Sequence, residues 1–510
     1  MIAGLLTAAV AIGVGQLVAG ITGSEGSPVV AVGSLSIDST PPAVKDFAIT
    51  AFGSHDKLVL VSGILVVLAI FAAGIGLVAV RSLARGMAGL VIFAAVGLIA
   101  ALTRPDSSVA DGLPTLASTA AGAMALYYLV RAARPVTVGQ RAAVRAPGRP
   151  AQAAPERRRF LVAGSVAAGT AAVAGLGGRF LTERSSVAKA QADLRVPAPV
   201  RPGPVLPSGT DFRIPGLSSF ITPSNTFYRV DTAIVLPQIE PASWSLRIHG
   251  MVQQEMVLSF KELLRRPLIE DYITLCCVSN PVGGPYVGNA HWLGASVASM
   301  LRQAGIRAGA DQLLCTSSDG FTSGTPIQTV MDGRDAMLAV AMNGSALQVA
   351  HGFPVRMVVP GLYGYVSACK WITDIEVTTF AANHAYWTVR GWDQQAPIKT
   401  ESRIDVPTGL TQVKPGRIAV AGVAWAQHKG IAAVEARADN GPWHEARLAA
   451  VPDIDTWRQW VWEWDATPGT HVIQARATDK TGYTQTALQA PPAPNGASGY
   501  PGVRVVVGGG

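Results

Sequence analysis

Four long apolar runs follow one another in the first 130 residues, at 1–21, 58–80, 87–102 and 113–130. Each approaches the ~20 residues that a helix needs to cross a bilayer, the third being the shortest. Four such runs in succession are hard to hide in the core of a small soluble domain. They predict four transmembrane helices over 1–130, with 23–56 as an exposed loop between the first two. Charge content agrees: 15% of the 510 residues are charged, against a usual ~25%. Other classes fall away on composition. Four cysteines are too few for a disulfide scaffold, and 49% apolar residues are too many for a disordered chain.

The next stretch, 131–159, changes character. It holds Arg131, Arg134, Arg141, Arg145, Arg149, Arg157, Arg158 and Arg159, with Glu156 as its one acid, and so carries nearly all of the chain's net charge of +8. A nucleic-acid-binding arm can look like this. This one has no aromatic residue to stack on bases and lies between apolar segments, so no nucleic-acid partner is expected. The positive-inside rule makes it a cytoplasmic loop. Arg81 and Arg85, two spans earlier, fall on the same side. Arg157-Arg158-Arg159 then precede a weakly apolar, Ala- and Gly-rich run over 160–181. Paired arginines before such a run resemble a twin-arginine export signal; a plain stop-transfer flank has the same residues. Either way 160–181 is a fifth span that carries the rest of the chain to the outer face of the cell membrane. It lacks a small-x-small cleavage site, so it stays as an anchor.

Residues 182–215 are rich in Pro and read as a semi-rigid linker. Over 216–400, short strand-like runs (243–248, 312–316, 355–359) mix with helical ones (260–265, 295–304), which predicts an α+β domain. Over 401–510, short strands at 417–425, 431–438, 457–464, 470–477 and 503–507 are separated by turn signals such as Asn440-Gly441-Pro442 and Pro468-Gly469. That regular spacing predicts a β-sandwich.

Two segments carry residues with chemistry. The first is Thr274-Leu275-Cys276-Cys277-Val278-Ser279-Asn280. Its vicinal cysteines could form a strained disulfide, bind a soft metal or simply pack. Zinc spacings, a GxSxG elbow and a Gly-rich dinucleotide fingerprint are all absent from the sequence. The second runs from His351-Gly352-Phe353-Pro354-Val355-Arg356 to Lys370-Trp371. One His, one Arg and one Lys within a compact segment suit a phosphate or pyrophosphate anion. Arg356 sits in an apolar strand-like run, where a charge normally has a partner.

These residues resemble the sulfite oxidase family of molybdopterin-dependent oxidoreductases, in a membrane-anchored bacterial form. The resemblance covers about 220–507 and rests on an ordered set of motifs: Phe227-Tyr228-Arg229, the Thr-Leu-x-Cys-x-x-Asn segment at 274–280, His291-Trp292-Leu293-Gly294, Asp319-Gly320-Phe321, Met342-Asn343-Gly344, the His351–Arg356 block, Lys370-Trp371, Gly441-Pro442-Trp443 and the 476–485 segment. It implies that the α+β domain holds a molybdenum–molybdopterin cofactor. Cys277 is similar in position to the thiolate ligand of molybdenum, and Cys276 falls where the family does not use a ligand. Thr226, Phe227, Tyr228, Arg229, Val230, Asp319, His351, Arg356, Ala368, Cys369 and Lys370 fall on cofactor-binding positions. Cys277, Arg229 and Trp392 fall on catalytic ones, Trp392 near the place of an active-site tyrosine. The sandwich looks like the family's immunoglobulin-like dimerisation domain, which makes a second copy a candidate partner.

The chain departs from sulfite oxidases where that dianion would be held. Asn280 is followed by Pro281-Val282 where arginines are expected, and Asn495-Gly496 stand where the second domain supplies another. Arg390 and Lys399 are the candidate replacements. There is no haem attachment motif, and His55 is the only histidine before residue 249, so no haem is expected. The expected protein is a membrane-bound oxidoreductase that moves an oxygen atom to or from a small outer-face substrate. Its electrons pass to an unidentified partner. The alternatives are a sulfoxide or N-oxide reductase and a non-catalytic tethered binding protein.

Overall fold

The computed structural model describes residues 1–22, 26–40, 44, 56–103, 109–133, 155–183 and 186–508. Contacts divide the chain into two units, 1–188 with 232–238, and 189–231 with 239–510. Most of the arginine-rich 131–159 stretch, and His55, lie outside the described residues.

The first unit is helical. Its helices are Ile2–Thr22, Pro28–Ser39, Asp56–Arg81, Leu83–Leu102, Leu113–Ala133 and Pro155–Glu183. Five segments are long and apolar enough to cross a membrane: Ile2–Thr22, Val59–Arg81, Leu83–Leu102, Val109–Ala133 and Arg158–Leu181. Ile2–Thr22 packs closely against both Leu113–Ala133 and Pro155–Glu183. Small residues permit this approach. A Cβ at Gly13 would lie 2.7 Å from the carbonyl oxygen of Ala171. Large apolar side chains, including Val66, Ile70, Ile92, Val166 and Val173, point outward. The Pro28–Ser39 helix corrects the expected loop over 23–56. Pro28 suits the first helical position, and Ala31 and Val32 pack on Ala100 and Ala101.

The second unit has an α+β part and a C-terminal β-rich part. In the α+β part, one sheet runs Met256–Ser259, Ser245–Gly250, Ile372–Thr378, Gln312–Ser317, Thr322–Pro326. The other runs Leu268–Cys276, Val287–Ser296, Met337–Met342, Ser345–Ala346, with Arg356–Val358 also paired to Met337–Met342. Short helices end cleanly: Ser259 and Glu262 form a capping box for Phe260–Leu264. The C-terminal part has two sheets, Glu401–Val406, Gly416–Trp425, Arg458–Ala466, Arg447–Leu448, and Gln412–Val413, Gly502–Val507, Gly469–Asp479, Ile431–Ala438, His444–Glu445. Val420, Trp460, Val434, Ile473 and Val505 fill the core they share.

The two parts of this unit are stitched together along the Leu268–Cys276 strand. Thr274 N–H donates to the Asp455 carbonyl (2.9 Å), Trp457 N–H donates to Thr274 Oγ1 (2.7 Å), and Gln427 Nε2 donates to the Thr274 carbonyl (2.8 Å). Trp457 is fully buried and belongs to the α+β core. The segment expected as a linker is also part of this unit from residue 189 onward. It opens with the helix Ser186–Asp193, and Val200 and Arg201 then bond to the backbone of Leu268 and Glu270. The strand that ends at the cysteine pair is thus held from several sides.

Candidate active site

The cysteine pair sits at the end of the Leu268–Cys276 strand, and strand alternation separates its members. Cys276 faces the apolar core, fully buried, with its thiol 3.5 Å from the Cys277 carbonyl oxygen. Cys277 begins a turn. Its N–H donates to the Tyr286 carbonyl (2.9 Å) and its carbonyl accepts from Asn280 N–H (3.0 Å). Asn280 Oδ1 closes the turn by accepting from Tyr286 N–H (2.8 Å). All four cysteines are free thiols, which removes the disulfide alternative. Burial pushes the Cys277 thiol up, while hydrogen bonds from Ser279 and the charge of Lys370 pull it down.

Tyr228 lies beside this turn. A Cβ at Gly364 would sit 3.6 Å from the Cys276 carbonyl oxygen and 3.8 Å from the Tyr228 hydroxyl. Burial, then the neighbouring cysteines, hold the Tyr228 phenol protonated. Phe227 stacks on Tyr228 (5.2 Å) and meets His351 edge-on (5.7 Å). His351 Nε2 lies 2.8 Å from the Ser224 carbonyl oxygen. A carbonyl only accepts, so Nε2 carries the proton and Nδ1 is left as an acceptor. Burial and the charges of Arg356, Lys370 and Arg229 lower the imidazole to about 4, so it is neutral at pH 7.

Arg356 is 5% exposed. Its guanidinium donates to the carbonyls of His351 (3.2 Å) and Ala368 (3.4 Å) and lies over the Trp292 ring (5.1 Å). Its Nε has no partner within the protein. Burial lowers it to about 10, still charged at neutrality. Lys370 Nζ pairs with Asp231 at 2.7 Å and stands over the Trp371 ring. Burial lowers Lys370 to about 8 against the pull of Asp231. Gly352 makes this crowding possible. It has φ 105°, and a Cβ there would meet the Cβ atoms of Arg356 (2.9 Å) and Lys370 (3.1 Å).

The remaining expected residues are placed less uniformly. Arg229 is half-exposed and holds Asp231 through two bonds, at 2.7 and 3.2 Å. Thr226 Oγ1 donates to the Pro223 carbonyl (3.1 Å), and Val230 is exposed. Ala368 contributes its carbonyl, and Cys369 is buried in the core. Asp319 uses its carboxylate to accept from Phe321 N–H (3.1 Å), closing a local turn. Trp392 packs on Tyr365 and Trp387 in an aromatic group.

Asp231 was not anticipated; it holds Arg229 and meets Lys370 across 139 residues of chain. The one available signal was an acid two positions after Arg229, on the same side of an extended segment. Among the described residues, no group of three or more His, Cys, Asp or Glu is placed to hold a metal ion. A metal bound by Cys277 would therefore arrive with its other donors. The arrangement does suit an anionic, pterin-type group: Arg229 and Lys370 share the one carboxylate of Asp231, and the buried Arg356 Nε is left to donate.

The chain matches the model for the oxidoreductase molybdopterin binding domain over residues 233–387. It is 29% identical to sulfite oxidase of Gallus gallus over 324 residues, 53% of this chain and 69% of that protein. Against mitochondrial sulfite oxidase of Rattus norvegicus it is 28% identical over 289 residues, 48% of this chain, and spans about half (52%) of that protein. Against the uncharacterized oxidoreductase YuiH of Bacillus subtilis it is 31% identical over 150 residues, 29% of this chain and 72% of that protein.

Proposed function

The chain belongs to the sulfite oxidase family of molybdopterin-binding oxidoreductases, and on that premise we propose a membrane-anchored enzyme that moves an oxygen atom to or from a small substrate outside the cytoplasm. The observation that carries this reading is the free Cys277 thiol beside a buried set of His351, Arg356 and Lys370. Cys277 would hold the molybdenum as a thiolate, a soft donor for that metal. Arg356, Lys370 and the acceptor Nδ1 of His351 would hold the pterin and its phosphate, with the backbone of Thr226–Val230 and Ala368–Lys370 alongside. When bound, this group supplies the two-electron redox change and the oxygen transfer. The chain's own work is orientation, exclusion of water by Phe227 and Tyr228, and electrostatics. The experiment is molybdenum analysis of full-length protein from a cofactor-competent host, with a screen of sulfite, dimethyl sulfoxide and trimethylamine N-oxide. Stoichiometric molybdenum is expected; metal-free protein would overturn the reading.

Oxidation of a small sulfur compound is the leading direction. Reduction of a sulfoxide or N-oxide is the second reading, and a specific observation favours it. The candidate replacement cations are already engaged: Arg390 with the Tyr386 carbonyl (2.6 Å), and Lys399 with Asn495 Oδ1 (3.0 Å) and the Gly496 carbonyl (2.5 Å). Arg229 is held by Asp231. A pocket whose cations are engaged suits a neutral substrate better than a dianion. The two-sheet C-terminal part is read as an immunoglobulin-like, dimerisation-type domain.

Five apolar helices support membrane anchoring. With Arg81, Arg85 and the 131–159 stretch inside, the catalytic unit lies outside. If Arg157, Arg158 and Arg159 act as a twin-arginine signal, replacing all three with Lys leaves the catalytic unit in the cytoplasm. Protease added to intact spheroplasts should then cleave that unit in the wild type and spare it in the variant; equal cleavage would refute the signal.

A further inference from the structure

Asn343 and Gly344 join the strand Met337–Met342 to Ser345–Ala346, and Met342 pairs with Ser345 across them. Both have positive φ, 52° and 77°. That is a two-residue hairpin turn, for which Asn-Gly is a favoured pair. The turn accounts for the backbone at 343 but not for the side chain, whose three hydrogen bonds all go to distant parts of the chain. Its Oδ1 accepts from His291 N–H (3.0 Å), 52 residues away. Its Nδ2 donates to the Thr222 carbonyl and to Ser224 Oγ (3.0 Å each), 121 and 119 residues away. Asn343 N–H also donates to the His291 carbonyl (2.7 Å). A backbone N–H only donates, so Oδ1 must face His291 and Nδ2 must face Thr222 and Ser224.

The segment that Asn343 grips is the one that meets His351. Thr222 N–H donates to the Asn289 carbonyl (2.8 Å), and Thr226 and Phe227 N–H both donate to the Pro223 carbonyl (3.0 and 2.9 Å). Between these bonds the Ser224 carbonyl oxygen lies 2.8 Å from His351 Nε2, and Phe227 meets the imidazole edge-on. The nitrogen that carries the proton of a neutral imidazole is set by such a partner. Resting on the function proposed above, we infer that Asn343 is a positioning residue for the pterin site: it holds the Ser224 carbonyl where that oxygen keeps the His351 proton on Nε2 and leaves Nδ1 as the acceptor. Its action runs wholly through Ser224 and the turn that carries it.

Two purely structural roles for Asn343 lead to different results. As a turn residue alone it could be glycine, which takes positive φ at no steric cost. As a clamp on the Val287–Ser296 strand alone it could be aspartate, whose carboxylate oxygen accepts from His291 N–H as the amide oxygen does. Neither replacement has the two N–H donors of Nδ2. Without them the Thr222 carbonyl and Ser224 Oγ lose a donor each, and a carboxylate at 343 also repels the Thr222 carbonyl. The turn is then free to shift. His351 is neutral at pH 7 and 4% exposed, so solvent does not replace a displaced carbonyl, and the proton spreads over both ring nitrogens.

The test is nitrogen-15 magnetic resonance of the full-length protein at pH 7, labelled in its histidine rings, with His351→Gln used to identify the His351 signals. The wild type should show one protonated nitrogen, Nε2, and one bare nitrogen, Nδ1. In Asn343→Gly and in Asn343→Asp the two signals should draw together, and both variants should lose bound molybdenum. Either variant keeping the wild-type ring signals, or a wild type with the proton already shared between the two nitrogens, overturns the inference and leaves the proposed function standing. Wild-type protein that shows the expected ring signals but carries no molybdenum removes the proposed function and leaves the role of Asn343 toward His351 intact.

Discussion

Cys277→Ser is expected to fold as the wild type does and to lose at least about tenfold of its molybdenum, whereas Cys276→Ser keeps the metal and loses stability. The two thiols are adjacent in sequence and opposite in orientation. Cys277 begins the turn closed by Asn280 and is supported by Ser279 and the charge of Lys370. Serine fits that space, but its hydroxyl is a hard donor with a far higher pKa than a thiol, so the soft-metal bond is lost. Cys276 is buried in the α+β core. Its thiol is 3.5 Å from the Cys277 carbonyl oxygen, a distance the shorter C–O bond of serine lengthens. A buried hydroxyl left without a good partner costs about 1–3 kcal/mol. Metal analysis and denaturant unfolding on both variants separate the roles. Metal lost from Cys276→Ser and retained by Cys277→Ser would reverse the assignment.

Local pattern made much of the architecture legible. The five apolar runs became five helices of spanning length, and the Ile431–Ala438 strand has the bounds its alternation predicts. Pro28–Ser39 was missed because its stability comes from Ala31 and Val32 packing on Ala100 and Ala101, nearly 70 residues away. The linker reading failed for a similar reason: its Pro-rich stretch is held by backbone bonds from 200–201 to Leu268 and Glu270. The residues of the candidate site were visible as residue types in order. Their partners were not, since Asp231 meets Lys370 only after the chain has folded. The resemblance to a known family named Asp319 for the cofactor, but the Asx-type bond to Phe321 occupies one of its oxygens. Cys276 and Cys277 mark the boundary between these cases. Sequence left three readings open, and the parity of one strand reduced them to a core thiol and a turn thiol.

Asp231→Asn should destabilise the second unit by about 3–5 kcal/mol at neutral pH, the cost of breaking a buried ion pair by removing one partner. The Asp231 side chain is 3% exposed and that of Lys370 10%, so water cannot replace the missing charge for Lys370. Arg229 is 38% exposed and recovers much of its solvation, which places the loss at the lower end of that range. The sign of the pH dependence follows from Lys370. Burial already lowers it to about 8, and Asp231 is what opposes the fall. Without that carboxylate, Lys370 drops further, and the folded state binds fewer protons than the unfolded state up to the ordinary lysine range. Stability then rises with pH as Lys370 sheds a charge it can no longer pair. The deficit of Asp231→Asn relative to wild type should therefore shrink between pH 7 and pH 9 in denaturant melts of the metal-free protein. A deficit that is constant or grows with pH would show that Lys370 is not the group left uncompensated. Because a neutral Lys370 also gives up one of the cations offered to the anionic group, the same variant should purify with less molybdenum.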